Sequence, residues 1–136
     1  MKNIAISAVI LSLLTCTAFG CGGGSPADTA KAFYKAANDG NYDEAIDYLS
    51  IHLQMGFDIM NPLGMGIENA MDGVTRNGTI QKIEIKGGEE FPSGYQAMVY
   101  LTLHYTDGRQ AQDVLTLQKE DGKWKIIIST LLATHM

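Results

Sequence analysis

A handful of side chains could do polar chemistry if the fold brought them together: Asp113, His104, His52, Tyr34, Tyr48 and Tyr100. An enzyme would need several of them around one reacting group, an acid or base within hydrogen-bond reach of the proton it moves. Asp113 is the strongest candidate. If Asp121-Gly122 is a two-residue hairpin turn, Glu120 faces Lys123, Leu117 faces Ile126 and Leu115 faces Ile128. Apolar positions then meet, and Asp113 shares their face. It sits near the Asp107-Gly108 end of its strand, where that face opens to water, so a hydrogen-bonded or rim role is expected before a catalytic one. His104 has the opposite parity from Leu101 and Leu103, which reads as solvated. His52 has no carboxylate at helical metal spacing, since the next, Asp58, is six residues on, and His135 falls in a terminal tail. There is no His-Glu-x-x-His, cysteine pair or carboxylate run of the kind metal sites use. A nucleophile elbow and a phosphate-binding glycine loop are equally missing from the pattern. The expectation is a domain without catalytic residues, metal or cofactor.

Residues that could line a pocket for an apolar ligand form a second set: Tyr34, Tyr48, Met55, Met60, Asp113 and Trp124. Methionines fill irregular gaps and adapt to apolar partners. Tyrosine and tryptophan pack an apolar body while their polar atom seeks a partner. Trp124, in a terminal strand, reads first as a core anchor between sheet and helix.

These residues need elements to hold them. Ser25-Pro26-Ala27-Asp28 is a helix start, with Ser25 as cap, Pro26 in the first turn and Asp28 completing a capping box. Ala30, Phe33, Tyr34 and Ala37 keep helical spacing, and Asn38-Asp39-Gly40 ends the run. Asn41-Tyr42-Asp43-Glu44 starts a second short helix with Ala45, Tyr48 and Leu49 on its face, making a helical hairpin. Ser50 to Gly66, with Met55, Met60, Met65, Pro62 and three glycines, gives no clear period. Ile67, Ala70, Met71 and Val74 return to helical spacing.

After Asn77-Gly78 the period becomes two. Thr79 to Lys86 reads as a partly solvated strand and Gly87 to Gly94 as a loop. In Tyr95 to Tyr105, residues Ala97, Val99, Leu101, Leu103 and Tyr105 share a face. Asp107-Gly108 and Asp121-Gly122 are hairpin turns. Gln110 to Gln118 and Lys123 to Thr130 are the remaining strands, with Trp124, Ile126 and Ile128 on one side of the last. This predicts an α+β domain: N-terminal helices packed on a curved antiparallel sheet of about four strands. A second copy of the chain is the alternative cover for part of the sheet.

The first residues are of another kind. Met1-Lys2-Asn3 carries one positive charge, and Ile4 to Phe19 carries none. This is the build of an export signal, and it is shorter than a spanning helix. Residues 1–20 are therefore set apart from the fold, and residues 21–25, with Gly22-Gly23-Gly24-Ser25, read as a flexible tether. The domain is expected over 26–131, with a tail at 132–136. A formal net charge of −5 without a basic stripe argues against nucleic acid and anionic lipid surfaces as partners.

Ala18-Phe19-Gly20-Cys21 resembles the lipobox of bacterial lipoproteins. In that family signal peptidase II cuts before the cysteine, whose thiol carries a diacylglyceryl group, and the new N-terminus is usually acylated, palmitate being the expected acyl group. Gly20 fits the small residue required before the cysteine, whereas bulky Phe19 departs from the pattern. The resemblance implies lipidation of Cys21, a membrane anchor of two or three acyl chains, and a place in the bacterial cell envelope, facing the periplasm or the cell exterior.

Ser25-Pro26 with Ala32-Phe33-Tyr34, then Gly40-Asn41-Tyr42-Asp43-Glu44-Ala45, then Asp121-Gly122-Lys123-Trp124-Lys125-Ile126 resemble the NTF2-like superfamily. More narrowly they resemble its small lipoproteins of the DUF4878 type. The likeness covers Ser25 to about Ser129 and implies a sheet curled into a cone that helices close on one side. Its motifs are structural and name no reaction. The expected function is a non-enzymatic envelope lipoprotein that binds a small apolar ligand or a protein. The alternatives are a homodimeric structural module and an NTF2-like enzyme using Asp113.

Overall fold

A computed structural model of the chain describes residues 24–63, 66–74 and 78–134. The expected signal segment, Cys21 and the first part of the tether, Met65 and His135 lie outside the described residues. Helix α1 spans Pro26–Asn38. Its capping box is formed both ways: the Ser25 hydroxyl accepts from the Asp28 amide at 3.2 Å, and the Asp28 carboxylate accepts from the Ser25 amide at 3.2 Å. Ala30, Phe33, Tyr34 and Ala37 are buried on one face. The chain leaves the helix through Gly40, whose φ of +80° suits glycine. Helix α2 (Tyr42–Asp47) is capped by the Asn41 side chain, which accepts from the Glu44 amide.

Ser50 to Gly66, without a clear period in the sequence, opens with helix α3 (Ile51–Met60). Ser50 caps it, accepting from the Leu53 amide at 3.3 Å. A 3-10 turn over Asn61–Leu63 follows, and helix α4 spans Ile67–Val74. Strands β1 (Ile80–Glu90), β2 (Gln96–Tyr105), β3 (Gln110–Glu120) and β4 (Lys123–Ser129) form one antiparallel sheet in chain order. Helix α5 (Thr130–Thr134) ends the described chain. Next to the outer edge of β4, Ser50 N–H donates to the Ile126 carbonyl and Ile126 N–H to the Tyr48 carbonyl, both at 2.8 Å. That short parallel bridge covers part of the β4 edge.

The inward row of β2 is as the alternation predicts: Ala97, Val99, Leu101, Leu103 and Tyr105 are all buried. Both residues of the Asp121-Gly122 turn have positive φ, 53° and 78°, the geometry that matches strand twist in a tight hairpin.

Three expectations need correction. Strand β1 does not stop at Lys86 but continues to Glu90, because a register shift between Ile85 and Gly87 absorbs the glycines and lets Gly88 pair with Val99. The β3–β4 register follows the turn only as far as Leu117 and Ile126; a bulge then brings Leu115 opposite Ser129 rather than Ile128. The bulge reverses parity, so Trp124 and Ile126 point inward before it and Ser129 after it, while Ile128 is 53 % exposed. Finally, α5 runs across the boundary expected at residue 131, and Leu132 is buried in the core.

Candidate functional site

The β4 bulge decides what surrounds Asp113. Its carboxylate lies opposite Leu101 on the inner face of the sheet and is 2 % exposed. With Ser129 turned inward, the Ser129 hydroxyl donates to Oδ2 at 2.8 Å. The Tyr34 hydroxyl, from α1, donates to the same oxygen at 2.5 Å. Oδ1 accepts from the Thr130 hydroxyl at 2.8 Å and from the Leu131 amide at 2.9 Å. One carboxylate thus joins α1, β3, β4 and the start of α5. A buried charge is tolerable only when hydrogen-bonded in this way. Helix α5 closes the end of the sheet that the sequence suggests is open to water.

Tyr34 is held neutral. Burial raises its phenol well above the ordinary value of 10.0, and the neighbouring Asp113 charge and the hydrogen bond to it raise it further. Tyr105 donates to the Val74 carbonyl at 2.6 Å, fastening α4 to β2. Burial also raises its phenol, with Asp107 and Asp113 adding to the effect.

Of the six candidate pocket residues, the fold brings Tyr34 and Asp113 into contact and places the other four elsewhere. Tyr48 is half-buried after α2, where its hydroxyl reaches Glu44 at 3.5 Å. Trp124 is buried on β4, with the Lys119 ammonium 5.3 Å from its ring centroid. Met55 and Met60 are on α3; Met55 is 54 % exposed and Met60 half-buried. His104 is partly exposed and meets Glu84 at 2.8 Å across β1 and β2. That histidine, with Lys86 nearby, lowers the Glu84 carboxyl.

A second feature lies outside that polar group. Ile51, Met55, Ile59 and Leu63 are spaced by four, and all are exposed, Ile59 to 70 %. Over the α3 residues this spacing makes a ridge along one side of the helix. Ile128, displaced by the bulge, is also exposed. Between α3, β4 and α5 is a small groove of about 180 Å³ lined by Leu53, Phe57, Ile127 and Leu132 among others. The i, i+4 signal for the ridge is present in the sequence, but glycine, proline and the scattered methionines hide it. Ser129 and Thr130, the other side-chain donors to Asp113, have no such signal, because their roles depend on the bulge.

Among the described residues, no group of three or more His, Cys, Asp or Glu could hold a metal ion. No described helix is long and apolar enough to cross a membrane.

With helices and sheet in this order, the sequence also matches the profile of a domain of unknown function, DUF4878, over residues 19–127. The chain belongs to the DUF4878 family. No curated protein matches its sequence. The DUF4878 domain has the NTF2-like fold: it is similar to the 2.00 Å crystal structure of a Campylobacter jejuni protein named as a candidate NTF2-like transpeptidase. The TM-score is 0.61 at 17 % identity, over 77 % of this chain and 99 % of that one. At that identity the likeness is one of fold.

Proposed function

We propose that this DUF4878 chain is a membrane-anchored cell-envelope lipoprotein whose NTF2-like domain is a non-enzymatic binding and interaction module. The observation that carries this reading is the exposed apolar ridge Ile51, Met55 and Ile59 of α3, continued by exposed Leu63 in the 3-10 turn that follows. Covering one such side chain is worth about 1.5–3 kcal/mol. A clustered apolar face left in water marks a contact surface rather than scattered surface hydrophobes. Anchoring is supported by Ala18-Phe19-Gly20-Cys21 after an apolar, uncharged stretch.

The polar group around Asp113 supports a non-enzymatic role. Acyl transfer, the chemistry in the Campylobacter protein's name, needs a nucleophile activated by a base with room for substrate. Here the Ser129 hydroxyl is buried and donates to a carboxylate that already takes three further hydrogen bonds. Both cysteines, Cys16 and Cys21, precede helix α1.

The ridge also favours a second reading, a homodimer. Ridges of i, i+4 spacing can interdigitate with a copy of themselves at a crossing of about −50°. Two measurements test these readings. Intact mass of protein from the membrane fraction, beside Cys21→Ser, should show acyl chains on a chain starting at Cys21; an unmodified chain in the soluble fraction overturns the anchor. Light scattering of the Cys21→Ser domain over a concentration series separates self-association from monomer. A monomer whose Ile59→Glu variant also behaves identically toward envelope extracts would remove the ridge as an interaction surface.

A further inference from the structure

A wider groove lies at the opposite edge of the sheet, beneath the first turn of α1. Its volume is about 510 Å³, within the range of roughly 300–1,000 Å³ usual for small-ligand sites. Pro26 and Ala27 form one wall, and Ile85, Met98 and Val99 line the sheet side. Gly87 and Gly88 of β1 line it without side chains: a Cβ on Gly87 would meet nothing within 4 Å, whereas one on Gly88 would come within 2.8 Å of the Met98 carbonyl oxygen. Its lining is largely apolar, and Glu89 and Glu90 are its charged residues.

We propose that this groove seats an acyl chain of the lipid carried by Cys21, an inference that rests on the lipoprotein reading above. Two observations select that occupant. The first is reach. Ser25 lines the groove, and the four residues from Cys21 to Ser25 extend at most about 14 Å. A lipid on Cys21 would thus be within reach of the groove mouth, at high effective concentration. The second is charge. A free fatty acid or an anionic phospholipid would bring a negative group to Glu89 and Glu90, whereas the diacylglyceryl group on a cysteine is uncharged. Occupancy would place one acyl chain in the domain and leave the others in the bilayer, drawing the domain close to the membrane at the edge where α1 begins.

The test uses the lipidated protein in detergent and the Cys21→Ser domain, with a fluorescent diacylglycerol as probe. Intact mass first establishes acylation. The expected result is that Cys21→Ser binds the probe, that the lipidated protein binds it at least about tenfold more weakly because its own chain fills the site, and that Cys21→Ser/Ala27→Trp loses it by a similar factor. Ala27→Asp is a second variant; it puts charge in the groove at a helix N-terminus that tolerates acid. Unchanged thermal unfolding shows that either variant is folded. If the mass shows acylation but Cys21→Ser does not bind the probe, or if both Ala27 variants bind it as well as Cys21→Ser, the groove assignment fails and the anchor stands. Equal binding by lipidated and Cys21→Ser protein overturns occupancy by the tethered chain. Absence of acylation overturns the anchor and this proposal together.

Discussion

Helices α1 and α3 begin alike, each capped by a serine hydroxyl that accepts from the third helical amide, and both are rich in apolar residues. Their fates differ. Helix α1 buries Ala30, Phe33, Tyr34, Ala36 and Ala37, while the only buried side chain of α3 is Phe57. The difference lies in how each is fastened. Asn38, at the end of α1, bonds both the carbonyl and the amide of Ile80, at 3.1 and 2.8 Å, and Tyr34 is tied to Asp113 at mid-helix. Helix α3 is held at its start, by Ser50 on Ile126 and the Ile51 amide on Glu120, and farther on by Phe57. Apolar spacing therefore marks a helix face that could leave water; the ties to neighbouring elements decide whether this chain covers that face.

The largest effect should come from the α1 face. Phe33 is wholly buried and meets Tyr34 edge-on at 5.0 Å between ring centroids. Phe33→Ala should cost about 3–5 kcal/mol of stability in urea unfolding. Ile59→Ala on α3 should cost less than about 0.5 kcal/mol. Similar losses for the two would erase the contrast.

Next is Asp113. Asn keeps the shape, but its amide nitrogen cannot accept, so donors among Tyr34, Ser129, Thr130 and the Leu131 amide lose their acceptor. Asp113→Asn should cost about 1–3 kcal/mol and should expose the α5 amides early in hydrogen exchange. If α5 stays protected, Asp113 does not hold it.

Tyr34→Phe tests the same tie from the other side, at about 1.5–3 kcal/mol for a hydrogen bond to a charged group. It also carries a pH signature. The folded phenol stays protonated above 10.0, where the unfolded one ionises. Its contribution is therefore complete below that pH and is lost as pH rises toward the raised value. Wild type should lose more stability than Tyr34→Phe between about pH 9 and about pH 11, with Tyr105 supplying part of the remaining slope. Equal slopes would mean that the tyrosine is not shielded as the structure has it.

Much of the architecture was legible in the residues. The capping box at Ser25, the inward alternation from Ala97 to Tyr105, and the two Asp-Gly turns each have a local physical cause, and each forms as expected. The shortfalls share a different cause. The bulge in β4 inserts one residue without a glycine or proline to announce it, and it alone brings Ser129 to Asp113 and turns Ile128 out. Gly87-Gly88 reads as loop chemistry but is carried inside β1 by pairing with β2. Thus Asp113 could be named from its strand, and Tyr34 from its helix, yet neither their contact nor the donors from Ser129, Thr130 and Leu131 follow from local pattern.

The smallest effect on stability, and the sharpest on the comparison, belongs to Ile59→Glu. A charge placed on a side chain already 70 % exposed loses little burial, so thermal unfolding should shift by no more than about 0.5 kcal/mol in free-energy terms. The same charge at the middle of an apolar contact would have to be desolvated without a partner, which a binding surface does not tolerate. Any association through α3, with a second copy or with another protein, should therefore fall at least about tenfold while the fold is unchanged. Substantial destabilisation by Ile59→Glu would instead show that α3 belongs to the core as fully as α1, and its apolar side would need no partner at all.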